Sequence, residues 1–105
     1  MNSNQPGVVL RFQAKAGKGE ELFDLVTDMH YSGDPDGPTD WSLSRDAENP
    51  DVMWAFEFYR DQASFDRHYS DPRLDEGHQR VFDLLETQTG VDSSMRADVH
   101  IVASS

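Results

Sequence analysis

Between residues 8 and 12 the apolar positions alternate: Val8, Leu10 and Phe12 fall on one face, with Val9, Arg11 and Gln13 on the other, the period of a half-buried strand. Ala-Gly-Lys-Gly breaks that pattern. Leu22, Val26 and Met29 then recur at helical spacing, and Phe23 and Leu25 widen the stripe, so residues 18–30 are expected to form an amphipathic helix. The segment "SGDPDGPTD" is dense in Gly, Pro and Asp and predicts a loop of about ten residues. Trp41 and Leu43 alternate with Ser42 and Ser44 as a second strand, "DAENPD" supplies a hairpin-like connection, and Val52, Trp54, Phe56 and Phe58 alternate as a third. Asp61 is placed to cap a short helix in which Phe65, His68 and Tyr69 share a face. Pro72 suits the first turn of another helix, where Leu74, His78, Val81 and Leu85 follow at i, i+4, i+7 and i+11 and Gly90 resembles a stop. Met95, Ala97, Val99 and Ile101 alternate with Arg96, Asp98 and His100 as a fourth strand.

The order strand, helix, strand, strand, helix, strand predicts an α+β fold, a ferredoxin-like split βαβ sheet with its helices on one face. We expect one domain over residues 8–103, preceded by a disordered tail of residues 1–7. The strongly apolar row of each strand, including Val52, Trp54, Phe56 and Phe58, is expected beneath the helices. The other face then carries Val9, Met53, Ala55 and Tyr59 beside Arg11, Gln13, Glu57 and His100. Such a partly apolar open face predicts a second copy of the chain packed on it, a homodimer joined sheet to sheet.

Composition narrows the function. A chain of 105 residues suits one domain that buries roughly 60–70% of its unfolded surface. Without Cys there is no disulfide, thiolate metal site or cysteine nucleophile. Acidic residues outnumber Lys and Arg 20 to 9, and a net charge of −11 repels phosphate backbones and anionic lipid, so neither nucleic acid nor a membrane is an expected partner. No window approaches the ~20 apolar residues that span a bilayer. The expected compartment is the cytoplasm.

Several residues could carry chemistry. His68 lies beside Phe65 and Tyr69, and His78 sits on an otherwise apolar stripe; an imidazole buried there needs partners for two ring nitrogens, whether it packs the core or walls a pocket. The row Trp54, Phe56 and Phe58 is either core or a flat wall for a planar ligand. Glu57, in mid-strand, needs a partner, for which Arg11, Arg96 and His100 share its alternation. The carboxylates of "DPDGPTD" lack the register of a calcium loop and read as a solvated turn. Gly17-Lys18-Gly19 is too short to cradle a phosphate.

The stretch "FEFYRDQASFDRHYSDPRL", residues 56–74, resembles the antibiotic-biosynthesis-monooxygenase-like (ABM) proteins of the dimeric α+β barrel superfamily, with their strand-ending aromatic-Glu-x-aromatic, short helix bearing Ala and His, and Ser-x-Pro-like turn. "AKAGKGEEL" resembles the start of that family's first helix and "WSLSRDAENPD" its second strand and hairpin, so the likeness covers residues 8–88. The resemblance implies a dimeric α+β barrel and oxygenation of a small phenolic or quinol-like aromatic by O₂ with no cofactor and no metal. His68 or His78 would accept the proton, Tyr59 would orient a substrate oxygen, and Trp41, Trp54, Phe58, Phe65 and Tyr69 would form the wall. The family's haem-degrading branch resembles an Asn on the first strand, a Trp on the short helix and a His ten residues later. Here His68 stands at the Trp position, His78 lies ten beyond it, and "VVLRFQA" offers no Asn, so haem degradation ranks lower. The alternative from another class is a non-catalytic dimeric module that binds a small ligand or serves assembly.

Overall fold

The computed structural model describes residues 1–87 and 93–105. In chain order it contains β1 (Pro6–Gln13), α1 (Gly19–Ser32), β2 (Asp40–Arg45), β3 (Val52–Phe58), α2 (Gln62–Ser70), a 3-10 turn (Pro72–Leu74), α3 (Asp75–Leu84) and β4 (Ser94–His100). The strands make one antiparallel sheet in the order β2-β3-β1-β4, the ferredoxin-like α+β arrangement expected from the element order. β1 begins at Pro6 rather than Val8, because backbone bonds continue past the apolar alternation: Tyr59 N–H donates to Pro6 O (2.9 Å) and Ile101 N–H to Gln5 O (3.0 Å). The expected stop at Gly90 lies outside the described residues. Among the described residues, no helix is long and apolar enough to cross a membrane.

Local chemistry sets the helix ends. Asp51, on the β2–β3 hairpin, accepts from the N–H groups of Gly17 (3.1 Å) and Gly19 (3.0 Å), which tethers the start of α1 to the sheet. The approach is so close that a Cβ on Gly19 would collide with the Pro50 carbonyl. Gly33 ends α1 at φ 80°, a conformation that costs glycine little. At α2, the Asp61 side chain accepts from Ser64 N–H at 2.7 Å, the cap anticipated from sequence.

The core lies between the helices and one face of the sheet. Ala14, Leu22, Val26, Met53, Val81 and Leu85 form one buried cluster; Val8, Tyr59 and Phe65 form a second, with Leu10 and Tyr69 packed on it. Register fixes which face each residue joins. Phe12 is opposite Met53, Leu10 opposite Ala55, and Val8 opposite Glu57 on β3 and Asp98 on β4. Met53, Ala55, Glu57 and Tyr59 therefore look toward the helices, and Trp54, Phe56 and Phe58 toward the open face, joined there by Val9, Met95 and Ala97.

This corrects the expected facing of β3 and β4. Both phases of "VMWAFEFY" are largely apolar, so alternation reveals the strand but not its phase. Side-chain size favours the aromatic row inside, yet Glu57 faces the helices, where its hydrogen-bond partners His30 and Tyr59 stand.

Candidate functional site

A cavity of about 540 Å³ opens between the helices and the sheet. Its existence follows from the phase of β3: Ala55, with no bulk beyond Cβ, lies among the floor residues beside Leu10, while the large aromatics of that strand stand on the opposite face. The walls include Trp41 from β2, His30 from α1, His68 and Tyr69 from α2, His78 from α3, and Asp34 from the loop after α1. Arg73 and Arg96 also border it, the Arg96 guanidinium lying 4.0 Å from the Tyr69 ring centroid.

Two histidine–carboxylate couples line this cavity, and they differ in what they leave available. In the first, His68 Nδ1 lies 2.7 Å from Asp34 Oδ2, with both side chains mostly buried. The other oxygen, Asp34 Oδ1, accepts from Asp36 N–H at 3.2 Å. An ionised carboxylate only accepts, so His68 carries a proton on Nδ1; in the neutral ring Nε2, which has no hydrogen-bond partner among the described residues, then holds the lone pair. A ring fixed in that tautomer beside a carboxylate is a competent proton acceptor, because the imidazolium it forms is stabilised where it stands. Tyr59 and Tyr69 hold the ring at centroid distances of 5.3 and 5.1 Å.

In the second couple both ring nitrogens are occupied. His30 Nδ1–H donates to Val26 O at 2.8 Å, and Nε2 is hydrogen-bonded to Glu57 Oε2. Glu57 Oε1 accepts from the Tyr59 hydroxyl at 3.0 Å. Burial pulls the His30 pKa down, but the hydrogen bond and charge of Glu57, with the Val26 carbonyl, outweigh it and leave the imidazole more basic than usual. Burial, followed by the Glu57 charge, raises the Tyr59 hydroxyl far above the ordinary phenol value and pushes Tyr69 up to about 12. Both phenols are neutral donors at physiological pH. His30 also packs against Trp41, ring centroids 4.9 Å apart and the rings tilted, so the couple braces the cavity wall.

Of the residues singled out in the sequence, His68, His78, Trp41 and Tyr69 line the cavity. His78 makes no side-chain hydrogen bond among the described residues. Tyr59 is fully buried and gives its hydroxyl to Glu57 rather than to the cavity. Phe65 lies behind the wall, packed on Tyr59 and Tyr69. Trp54 and Phe58 stand on the other face of the sheet. Glu57 pairs with His30 and Tyr59 instead of the expected Arg11, Arg96 or His100.

His30 and Asp34 were not singled out. His30 extends the spacing Leu22, Val26, His30 along the buried stripe of α1, a signal that was present in the sequence. Asp34 carries no comparable signal, since its partner is 34 positions away.

The architecture recurs in solved structures. SnoaB, a cofactor-independent oxygenase from Streptomyces nogalater, is 15% identical at a TM-score of 0.77, with 97% of each chain covered. A conserved protein from Methanosarcina mazei Go1 is 19% identical at 0.75 with 94% of each covered, and a protein of unknown function from Nitrosomonas europaea is 17% identical at 0.76, covering 100% of this chain and 96% of that one. At such identities the likeness concerns the fold. No curated protein sequence matches significantly. The family model for antibiotic biosynthesis monooxygenase matches residues 7–80, which run from the second residue of β1 into α3 and carry Asp34, Glu57, His68 and His78. On that match, over most of its length, this chain belongs to the antibiotic biosynthesis monooxygenase family.

Proposed function

We propose that the chain is a cofactor-independent monooxygenase that oxidises a small phenolic or quinol-like aromatic with O₂. The observation that carries this reading is the Asp34–His68 couple, with an unbonded Nε2, in the wall of an aromatic-lined cavity. At about 540 Å³ the cavity lies within the ~300–1,000 Å³ usual for small-molecule sites. Family membership and the fold shared with SnoaB support the same class of reaction.

The phenolic substrate lies against Trp41 and Tyr69, and His68 Nε2 takes its proton while Asp34 stabilises the resulting imidazolium. The anion, now electron-rich, transfers one electron to O₂; the radical pair combines to form a C–O bond at the ring carbon para to the oxygen. The peroxide O–O bond then breaks. One oxygen remains as a carbonyl, the other leaves as water with the hydrogens from the phenol and the ring carbon, and His68 returns its proton in that step. The sum is phenol plus O₂ to quinone plus water. His78 is a second group able to exchange a proton with the substrate. The open sheet face fits a second copy of the chain, in a homodimer that leaves the cavity on the helix side of each sheet.

Oxygen uptake with a panel of phenols, quinols and anthrones tests the proposal. An active substrate is expected to lose roughly 10²–10⁴-fold in kcat in His68→Gln, the range of a positioned general base. If no member of the panel drives uptake yet several quench tryptophan fluorescence saturably, the chain is a ligand-binding module instead. If His68→Gln leaves turnover intact, the proton acceptor is another residue.

A further inference from the structure

The Asp34–His68 bond joins a loop to a helix, and the loop is tied to the same helix once more, one residue away. Arg67 Nε and Nη2 both donate to Asp36 Oδ1, at 3.0 and 2.8 Å. Asp36 N–H donates to Asp34 Oδ1, and Asp34 Oδ2 accepts from His68 Nδ1–H at 2.7 Å. The bonds close a circuit that leaves α2 at Arg67, passes through Asp36 and Asp34, and returns to α2 at His68. Ser64, buried on the same helix, anchors it further: its hydroxyl accepts from Arg60 Nη2 at 2.5 Å and from Arg67 Nη2 at 3.3 Å. Arg60 in turn lies 3.8 Å from Asp36.

We propose that Arg67 and Asp36 are positioning residues that hold the Asp34 carboxylate on His68 Nδ1 and so keep its Nε2 as the basic nitrogen facing substrate. This rests on the role given above to His68 but makes a separate claim about how that role is set. Neither Arg67 nor Asp36 lines the cavity. Without the Asp36 tie, the side-chain bond that holds the loop to α2 among the described residues is Asp34–His68, and Gly33 and Gly37 around it offer little stiffness. Loosening the loop frees His68 to take the tautomer with its proton on Nε2, which has no lone pair with which to accept a proton.

Other charged or titratable groups around His68 must stay constant in a test. They are Glu57 from β3 and Tyr59 just after it, Tyr69 from α2, Arg96 from β4, and Asp71 with Arg73 from the 3-10 turn and the residue before it. Arg67→Met preserves the aliphatic stem and leaves all of them in place; Asp36→Asn removes the acceptor charge.

The experiment is nitrogen and proton NMR of the full chain with labelled imidazoles, His68 being assigned by its loss in His68→Gln. Wild type is expected to show His68 protonated on Nδ1 in its neutral form. In Arg67→Met and in Asp36→Asn, the ratio of the Nδ1–H to the Nε2–H tautomer should fall by roughly threefold or more, the equivalent of an exposed ion pair. Arg67→Lys should restore part of the ratio. With an active substrate, kcat should fall while KM holds. If Asp34→Asn shifts the tautomer and Arg67→Met and Asp36→Asn do not, the two residues position nothing and the proposal is overturned. If both variants shift it in a protein that consumes no O₂ with any substrate, the positioning claim stands while the oxygenase reading falls.

Discussion

Replacing Glu57 probes the buried couple at its centre. The residue is 5% exposed and accepts a hydrogen bond on each carboxylate oxygen, from Tyr59 and from His30. In Glu57→Leu two buried donors lose their acceptor, and at ~1–3 kcal/mol apiece the loss is about 2–6 kcal/mol. A domain of this size is stable by only ~5–15 kcal/mol and shifts by ~4–8 °C per kcal/mol, so the midpoint should fall by at least about 8 °C. Glu57→Gln behaves differently. Its amide oxygen still accepts from Tyr59, and its NH₂ can donate to Nε2 of a neutral His30, so the principal loss is the charge–charge attraction, about 1 kcal/mol. That difference depends on pH. The folded-state pKa of His30 is raised, so the stabilisation is fully present below the unfolded value near 6.5 and is lost as pH rises through the folded value. Thermal unfolding of wild type, Glu57→Gln and Glu57→Leu from about pH 5.5 to about pH 9 brackets the ordinary imidazole range. The gap between wild type and Glu57→Gln should be widest at the acidic end and close toward the alkaline end. A gap constant across the range would refute the charged His30–Glu57 pair; a Leu variant that unfolds with wild type would refute the hydrogen-bond account altogether.

Two further outcomes concern stability and assembly. Phe56 and Met95 are 36% and 48% exposed on the open sheet face, and sedimentation at micromolar concentration is expected to give a dimer whose interface is near the usual ~1,600 Å²; Phe56→Asp should shift it to monomer, and a wild-type monomer would leave that face without a partner. Asp51→Ala removes the acceptor for two N–H groups at the start of α1 and should cost about 1–2 kcal/mol, read as a lower urea midpoint with an unchanged slope.

The elements were legible because each carries its own local signal: alternation in β1 and β2, the apolar stripe of α1, and Asp61 ahead of α2. The site was less so, for reasons that differ by residue. His68 could be found because a short helix fixes which side chains share a face, and the periodicity that turned His78 inward also put it on the cavity wall. Glu57 was assigned to the wrong face because a strand with two apolar phases carries no local mark of direction, and its partner His30 sits 27 residues earlier. Asp34 sits in a run rich in Asp, Gly and Pro that reads as solvated turn. Its role depends on a tertiary bond to α2 that no spacing within the loop anticipates.

The alternation of β3 has a consequence for how this chain can vary. Positions 53, 55 and 57 shape the cavity side while 54, 56 and 58 shape the outer face, so one short strand specifies two surfaces independently. Substitutions at Ala55 can change the depth of the cavity with the outer face unaltered, and changes at Phe56 can alter association with the cavity intact. An insertion or deletion of one residue within the strand is a different matter, for it would exchange the two surfaces along everything that follows it, setting Glu57 in solvent and an aromatic side chain against His30. β3 can therefore vary at Ala55 and at Phe56 separately, while Glu57 and the length of the strand are tightly constrained.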